Sequence, residues 1–201
     1  ATTVDGFTVS GFPLGVRLSD DATLSNTTVS ATVDGVFADG DRWTVRNVTV
    51  VASERGIRTG AGEWRIEDSS VTGSRTALSV RDTFDGSNWT VENATLSSSG
   101  TALSAADTSG EWHVVNTSLV GETGVNATGT SGAWTLTRSV LRNYTVGVNA
   151  TGATVTGDAT AVYWDDGDAP TTAPNGTAGD DSGVDCVGNV DCSDHLTTLP
   201  S

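Results

Sequence analysis

Apolar and polar residues alternate along most of this chain in short runs, separated by Gly, Asn, Asp or Ser. Period-two alternation bounded by turn formers predicts β-strands. The runs return in a fixed order. The first block reads WTVRNVTV (43–50), WRIEDSSV (64–71), WTVENATL (89–96), WHVVNTSL (112–119) and WTLTRSVL (134–141). Two copies without Trp precede it, TTVDGFTV (2–9) and ATLSNTTV (22–29). A second block follows each: GVRL (15–18), GVFA (35–38), GIRT (56–59), ALSV (77–80), ALSA (102–105), GVNA (124–127) and GVNA (147–150). Trp43, Trp64, Trp89, Trp112 and Trp134 step by 21, 25, 23 and 22 residues, so the unit is about 22 residues long.

Within each unit the Trp and the Val of W-x-V share a face, as alternate strand residues must. A turn residue then follows: Asn26, Asn47, Asp68, Asn93 and Asn116, with Gly6 and Arg138 in the outlying copies. Asn and Asp tolerate the left-handed conformation and suit a sharp bend between strands. The next aliphatic position is Val9, Val29, Val50, Val71, Leu96, Leu119 and Leu141. A third strand supplies Val16, Val36, Ile57, Leu78, Leu103, Val125 and Val148. Three short strands per unit predict an all-β fold, a single right-handed parallel β-helix of about seven coils over residues 1–170. Stacked about 4.8 Å apart, these coils make a rod on the order of 35 Å long. A leucine-rich repeat would need L-x-x-L-x-L, and a propeller about twice the period. Residues 171–201 are expected to form an irregular cap over the open end. The repeat is already in phase at Thr2 and shows no equivalent cap at the other end, so the expectation is that either upstream residues have been removed or something else covers that end.

Composition narrows the setting. Acidic residues number 25 against 10 basic ones, for a net charge of −15, and every basic residue is Arg. Such a surface stays hydrated where salt screens its self-repulsion, and the composition resembles that of proteins from extreme halophiles, archaeal ones above all. Nucleic acid is excluded as a partner, since no basic cluster could neutralise phosphates. No apolar run is long enough to span a membrane. Cys186 and Cys192 predict a short-loop disulfide and hence an oxidising, extracellular location; His195 alone could not complete a metal site with them.

The repeats resemble those of the carbohydrate-binding and sugar-hydrolase β-helices in the broad pectate-lyase-like superfamily, and are most similar to secreted haloarchaeal members. The resemblance covers roughly residues 2–170. DATAVYWDDGDAP (158–170) is similar to the N-x-W-G…G-P segment that closes many of these helices, with Val162 and Asp165 departing from it. The superfamily includes lyases, hydrolases, epimerases, adhesins and structural fibres, so the resemblance implies a fold without fixing a function.

Candidate chemistry lies on the outer columns. Nine of the ten Asn residues begin N-x-Ser/Thr: Asn26, Asn47, Asn88, Asn93, Asn116, Asn126, Asn143, Asn149 and Asn175. They read as N-glycosylation acceptors on an external surface. Asn26, Asn47, Asn93 and Asn116 also read as turn rungs, and burial there would bar a glycan. The Trp column is expected to point inward; an exposed column would instead stack on sugar rings. Arg17, Phe37 and Arg58 form a candidate ligand face for glycan or protein, or else a packed cation–π surface. Acidic turns (Asp20, Asp21, Asp39, Asp41, Glu63, Asp82, Asp85, Asp107, Glu111) could hold Ca²⁺ or simply form a solvated ridge. No other cofactor or metal is expected. Catalysis lacks a constellation: Asp165 and Asp166 sit in the closing segment, Arg58 lacks a carboxylate partner, and His113 stands isolated on a Thr-rich column. The expectation is a non-enzymatic extracellular structural protein, a cell-surface or filament subunit that self-associates through its ends or binds another surface protein. The alternatives are a carbohydrate-binding or adhesion module and, behind it, a polysaccharide lyase or hydrolase.

Overall fold

The computed structural model of the chain describes residues 1–60, 62–81, 87–164, 172–173, 184–194, 196 and 198–199. These residues are all-β, with 22 strands in one sheet and no helix. The first two coils each hold two strands, β1 (Thr2–Asp5) and β2 (Thr8–Leu18), then β3 (Ala22–Ser25) and β4 (Thr28–Ala38). The third coil resolves into β5 (Trp43–Arg46), β6 (Thr49–Ala52) and β7 (Arg55–Thr59), and the fourth into β8 (Trp64–Glu67), β9 (Ser70–Gly73) and β10 (Thr76–Val80). Next come β11 (Asn88–Glu92), β12 (Thr95–Ser97) and β13 (Thr101–Ser104), then β14 (Glu111–Val115), β15 (Ser118–Val120) and β16 (Thr123–Asn126). The seventh coil is β17 (Trp134–Arg142) and β18 (Val146–Ala150). Beyond it lie β19 (Gly157–Trp164), β20 (Thr172–Ala173), β21 (Val184–Gly188) and β22 (Val190–Asp191).

Each strand pairs in parallel with its equivalent one coil on, for example β5 with β8, β8 with β11 and β11 with β14. This is the parallel β-solenoid of about seven turns that the repeat predicts. Register turns the sequence repeat into columns. Leu24, Val45, Ile66, Val91, Val114 and Leu136 stack in one, and Val29, Val50, Val71, Leu96, Leu119 and Leu141 in another. Val36, Ile57, Leu78, Leu103, Val125 and Val148 make the third. All of these side chains are buried.

The Trp column faces inward, as the shared face of W-x-V requires. Trp43, Trp64, Trp89, Trp112 and Trp134 are buried and stacked, with centroids 4.6 to 4.9 Å apart and planes within 5 to 8°. None of their Nε1 atoms meets a hydrogen-bond acceptor. An unmatched buried donor costs about 1–3 kcal/mol. Burying an indole of about 150–250 Å² returns about 4–6 kcal/mol, and each stacked pair adds about 0.5–1.5 kcal/mol. Burial therefore wins over the lost hydrogen bond, and the column holds.

The column ends for a steric reason. Gly157 follows Trp134 in the register, and a Cβ built there would lie 1.8 Å from Trp134 Cζ2. Only a residue without a side chain lets the last indole lie over the next coil. The sixth Trp takes another place: Trp164 stacks on Leu141 in the second aliphatic column, edge-on to Tyr144 at 6.1 Å. Further on, β21 stacks on β18 and β22 on β19. Cys186 takes the next place after Val148 in the third column and is disulfide-bonded to Cys192, both buried.

Trp89→Ala is expected to destabilise the fold by about 3–5 kcal/mol in denaturant unfolding. Trp89→Phe should cost clearly less, because it keeps a stacked ring and removes the unmatched donor. Equal losses for the two variants would contradict the stacking account.

Candidate functional site

The bend after the Trp strand builds the first outer column. Asn26, Asn47, Asp68, Asn93, Asn116 and Arg138 all have φ between 48° and 52°, and Gly6 has φ 73°. The left-handed bend is thus kept in all seven copies, even where Arg replaces Asn. Side-chain amides link the rungs: Asn26 Nδ2 donates to Asp5 Oδ1 (2.7 Å), Asn47 Nδ2 to Asn26 Oδ1 (2.7 Å), Asn93 Nδ2 to Asp68 Oδ1 (3.2 Å) and Asn116 Nδ2 to Asn93 Oδ1 (2.8 Å). These rungs are exposed, which corrects the expectation that burial would bar a glycan there. A bend that turns the backbone inward points its side chain to solvent. What limits Asn26, Asn47, Asn93 and Asn116 is that their amide nitrogens are engaged.

Other sequons sit differently. Asn126 and Asn149 are half-buried register neighbours at the ends of β16 and β18. Asn88 and Asn143 are exposed, the latter with φ 55°. Asn175 lies outside the described residues, as do Asp82, Asp85, Asp165, Asp166 and His195.

The acidic turns before the Trp strand also form a column, and hydrogen bonding explains them. Asp20 Oδ1 accepts the Asp41 N–H at 2.7 Å, and Asp41 Oδ1 accepts the Glu63 N–H at 2.6 Å. Arg42 pairs with Asp21 (2.8 Å) and Asp41 (3.0 Å). Each carboxylate closes the turn of the next coil. Hydrogen bonds from Arg42 hold the Asp21 carboxyl below its ordinary range, those from Ser25 and Asn26 do the same for Asp5, and that from Arg17 for Asp39. Among the described residues no three His, Cys, Asp or Glu side chains group as a metal site.

Arg17, Phe37 and Arg58 are neighbours in register, as the repeat predicts. Arg17 lies 5.7 Å and Arg58 5.0 Å from the Phe37 centroid, one from each side. Arg17 also pairs with Asp39. The ring is half-buried between two guanidiniums, so this face is already packed. The ion pair of Arg55 with Asp34 (2.6 Å), well shielded from solvent, connects the neighbouring column and was not legible from the repeats. His113 is not isolated: it hydrogen-bonds Thr135 Oγ1 at 2.8 Å and meets Glu111 at 3.3 Å. A groove of about 400 Å³ runs outside the Trp strands between Arg42, Glu63, Arg65 and Asn88. A second, of about 670 Å³, lies between Asn93, Asn116, Arg138 and Leu199. Both are shallow, polar and without a convergent set of acid, base and nucleophile.

Among the described residues, the first coil carries the largest apolar exposure. Phe7 is 59% exposed, Phe12 58% and Leu14 38%. Val4, Val9 and Val16 are half-buried, whereas Leu24, Val29 and Val36, one coil on, are fully buried. The strands β1 and β2 pair on one side only among the described residues. The repeat pattern alone does not single out Phe7 and Phe12, although it carries a signal. In the other copies the place of Phe7 is held by the smaller Thr27, Val48, Ser69, Ala94, Thr117 and Ser139.

Asn93→Gly and Asn93→Ala both remove two ladder hydrogen bonds, but only Ala also strains the left-handed backbone, so it should cost about 1–2 kcal/mol more than Gly; thermal unfolding separates the two. Asp5, Asp21 and Asp39 have carboxyl values lowered by folding. The stability they add is present above about pH 4 and is lost as pH falls through their folded values. The melting temperature should therefore drop on acidification below about pH 4, less steeply in Asp21→Asn. A flat profile down to pH 2 would exclude this linkage.

No family model matches the chain, and neither a curated protein nor a solved structure matches it. No matched relative supports the resemblance to the pectate-lyase-like superfamily; what the structure shows is a parallel β-solenoid with a Cys186–Cys192 disulfide.

Proposed function

We propose that this chain is an extracellular structural module of an extreme halophile, a cell-surface or filament subunit that carries N-linked sugar and assembles through the ends of its rod. One observation carries the reading: Phe7, Phe12 and Leu14 form an exposed apolar surface on the β1–β2 coil that a packed partner would bury. A contiguous exposed apolar surface marks a site of association, and burying its aromatic side chains supplies the driving force. The occupant is a neighbouring copy. The disulfide supports an oxidising location, and no helix among the described residues is long and apolar enough to cross a membrane. The net charge of −15 without Lys supports a high-salt setting. The Arg17–Phe37–Arg58 face, closed on itself, gives a carbohydrate-binding reading less support than the end coil gives to assembly.

Sedimentation in molar salt tests this. The chain should form larger species as concentration rises. Phe7→Ser with Phe12→Ser should weaken association at least about a hundredfold, since each buried Phe contributes about 1.5–3 kcal/mol. A parent chain that stays monomeric at every concentration would end the assembly reading.

A further inference from the structure

Six of the eight described sequons fall into two kinds, and the difference between these lies in the amide nitrogen. At Asn26, Asn47, Asn93 and Asn116 the Nδ2 donates to the rung below. At Asn126 the arrangement is reversed. Its Oδ1 accepts the Thr128 N–H (3.2 Å) and the Thr128 hydroxyl (2.6 Å), so the sequon closes on itself. Asn149 does the same with Thr151, at 3.1 Å and 2.7 Å. In both, the carbonyl end of the carboxamide is held twice, and the Nδ2 donates to no described residue. The hydroxyl that an N-x-Thr-reading enzyme must find is already docked on the amide it modifies.

The turn itself does not depend on Asn. Asp158 Oδ1 accepts the Thr160 N–H (3.0 Å) and hydroxyl (2.7 Å) in the sequence Asp158-Ala159-Thr160, the same Asx-turn with a carboxylate in place of the amide. Asp158 is half-buried like Asn126 and Asn149, and all three are followed by Ala-Thr. The same turn therefore forms with Asp as with Asn, and Asn adds an amide nitrogen that Asp lacks.

We propose that the Asn126/Asn149 pair is the acceptor of N-linked sugar on this protein and that the rung asparagines stay bare. This rests on the extracellular reading above, because the sugar donor and its transferase must meet the chain. In the step, Nδ2 attacks the anomeric carbon of a lipid-linked glycosyl diphosphate. The carbon–nitrogen bond forms, the bond from that carbon to the phosphate oxygen breaks, and the diphosphate leaves with the electron pair. One of the two Nδ2 protons passes to a base of the transferase. A rung asparagine would have to give up its amide hydrogen bond to react, whereas Asn126 and Asn149 give up none. The two acceptors are one coil apart, about 4.8 Å, so a sugar on one crowds the other and occupancy of either member satisfies the assignment.

The test is site-localised mass spectrometry of the protein purified from the cell that makes it, with the cell exterior and interior sampled separately. Hexose-containing mass is expected on Asn126, Asn149 or both, with unmodified Asn26, Asn47, Asn93 and Asn116. Thr128→Ala together with Thr151→Ala should remove it, while Thr128→Ser with Thr151→Ser should keep it. Asp158→Asn, nearly isosteric and in the same turn, should gain a new site. Sugar on any rung asparagine, or a chain recovered outside the cell with both Asn126 and Asn149 bare, would overturn the assignment and leave the structural reading standing. Recovery of the chain only from the cell interior would overturn both.

Discussion

The constraint on which everything here depends is coil-on-coil register. A parallel solenoid sets each residue about 4.8 Å from its equivalent in the next coil, so a side chain that suits one place must tolerate a copy of itself on either side. Flat indoles meet this condition by stacking, aliphatic side chains by filling the core, and amides by donating in one direction along the axis. Like charges do not meet it. The acidic turns escape repulsion because Asp20 and Asp41 each accept an N–H from the following turn and because Arg42 is interposed.

The same constraint explains where the repeat departs from itself. Gly157 ends the Trp column because the ring of Trp134 fills the space a side chain would need. Arg138 keeps the left-handed bend without an amide to extend the ladder, the surrounding strands fixing a backbone that Arg does not favour. Phe7 stands where other coils carry smaller residues, and it is exposed because no coil packs above it among the described residues. Gly157 and Arg138 thus mark where the Trp column and the amide ladder end.

The outer surface sorts into faces that are closed and faces that are not. Arg17 and Arg58 cover the ring of Phe37, and His113 is tied to Thr135 and Glu111. These side chains have partners within the chain. The first coil and the carboxamides of Asn126 and Asn149 differ, since the apolar surface of one and the amide nitrogens of the other meet nothing in the described structure.

By itself the sequence determined the solenoid, its coil count, the inward Trp column, the left-handed turn at each rung and the pairing of Cys186 with Cys192. All of these follow from period, spacing and the preferences of single residues, and a strict repeat writes such properties out copy by copy. Tertiary structure decided the rest. Whether an Asn amide is engaged or open depends on what the adjacent coil places beside it, not on N-x-Thr. Whether Phe37 or Phe7 offers a sticky ring depends on the guanidiniums stacked above and below the one and on what packs against the other. Trp164 looks like another member of the Trp series, yet register sets it on Leu141. The physical reason is common to all three: local sequence fixes the direction of a side chain, and only stacking fixes its company.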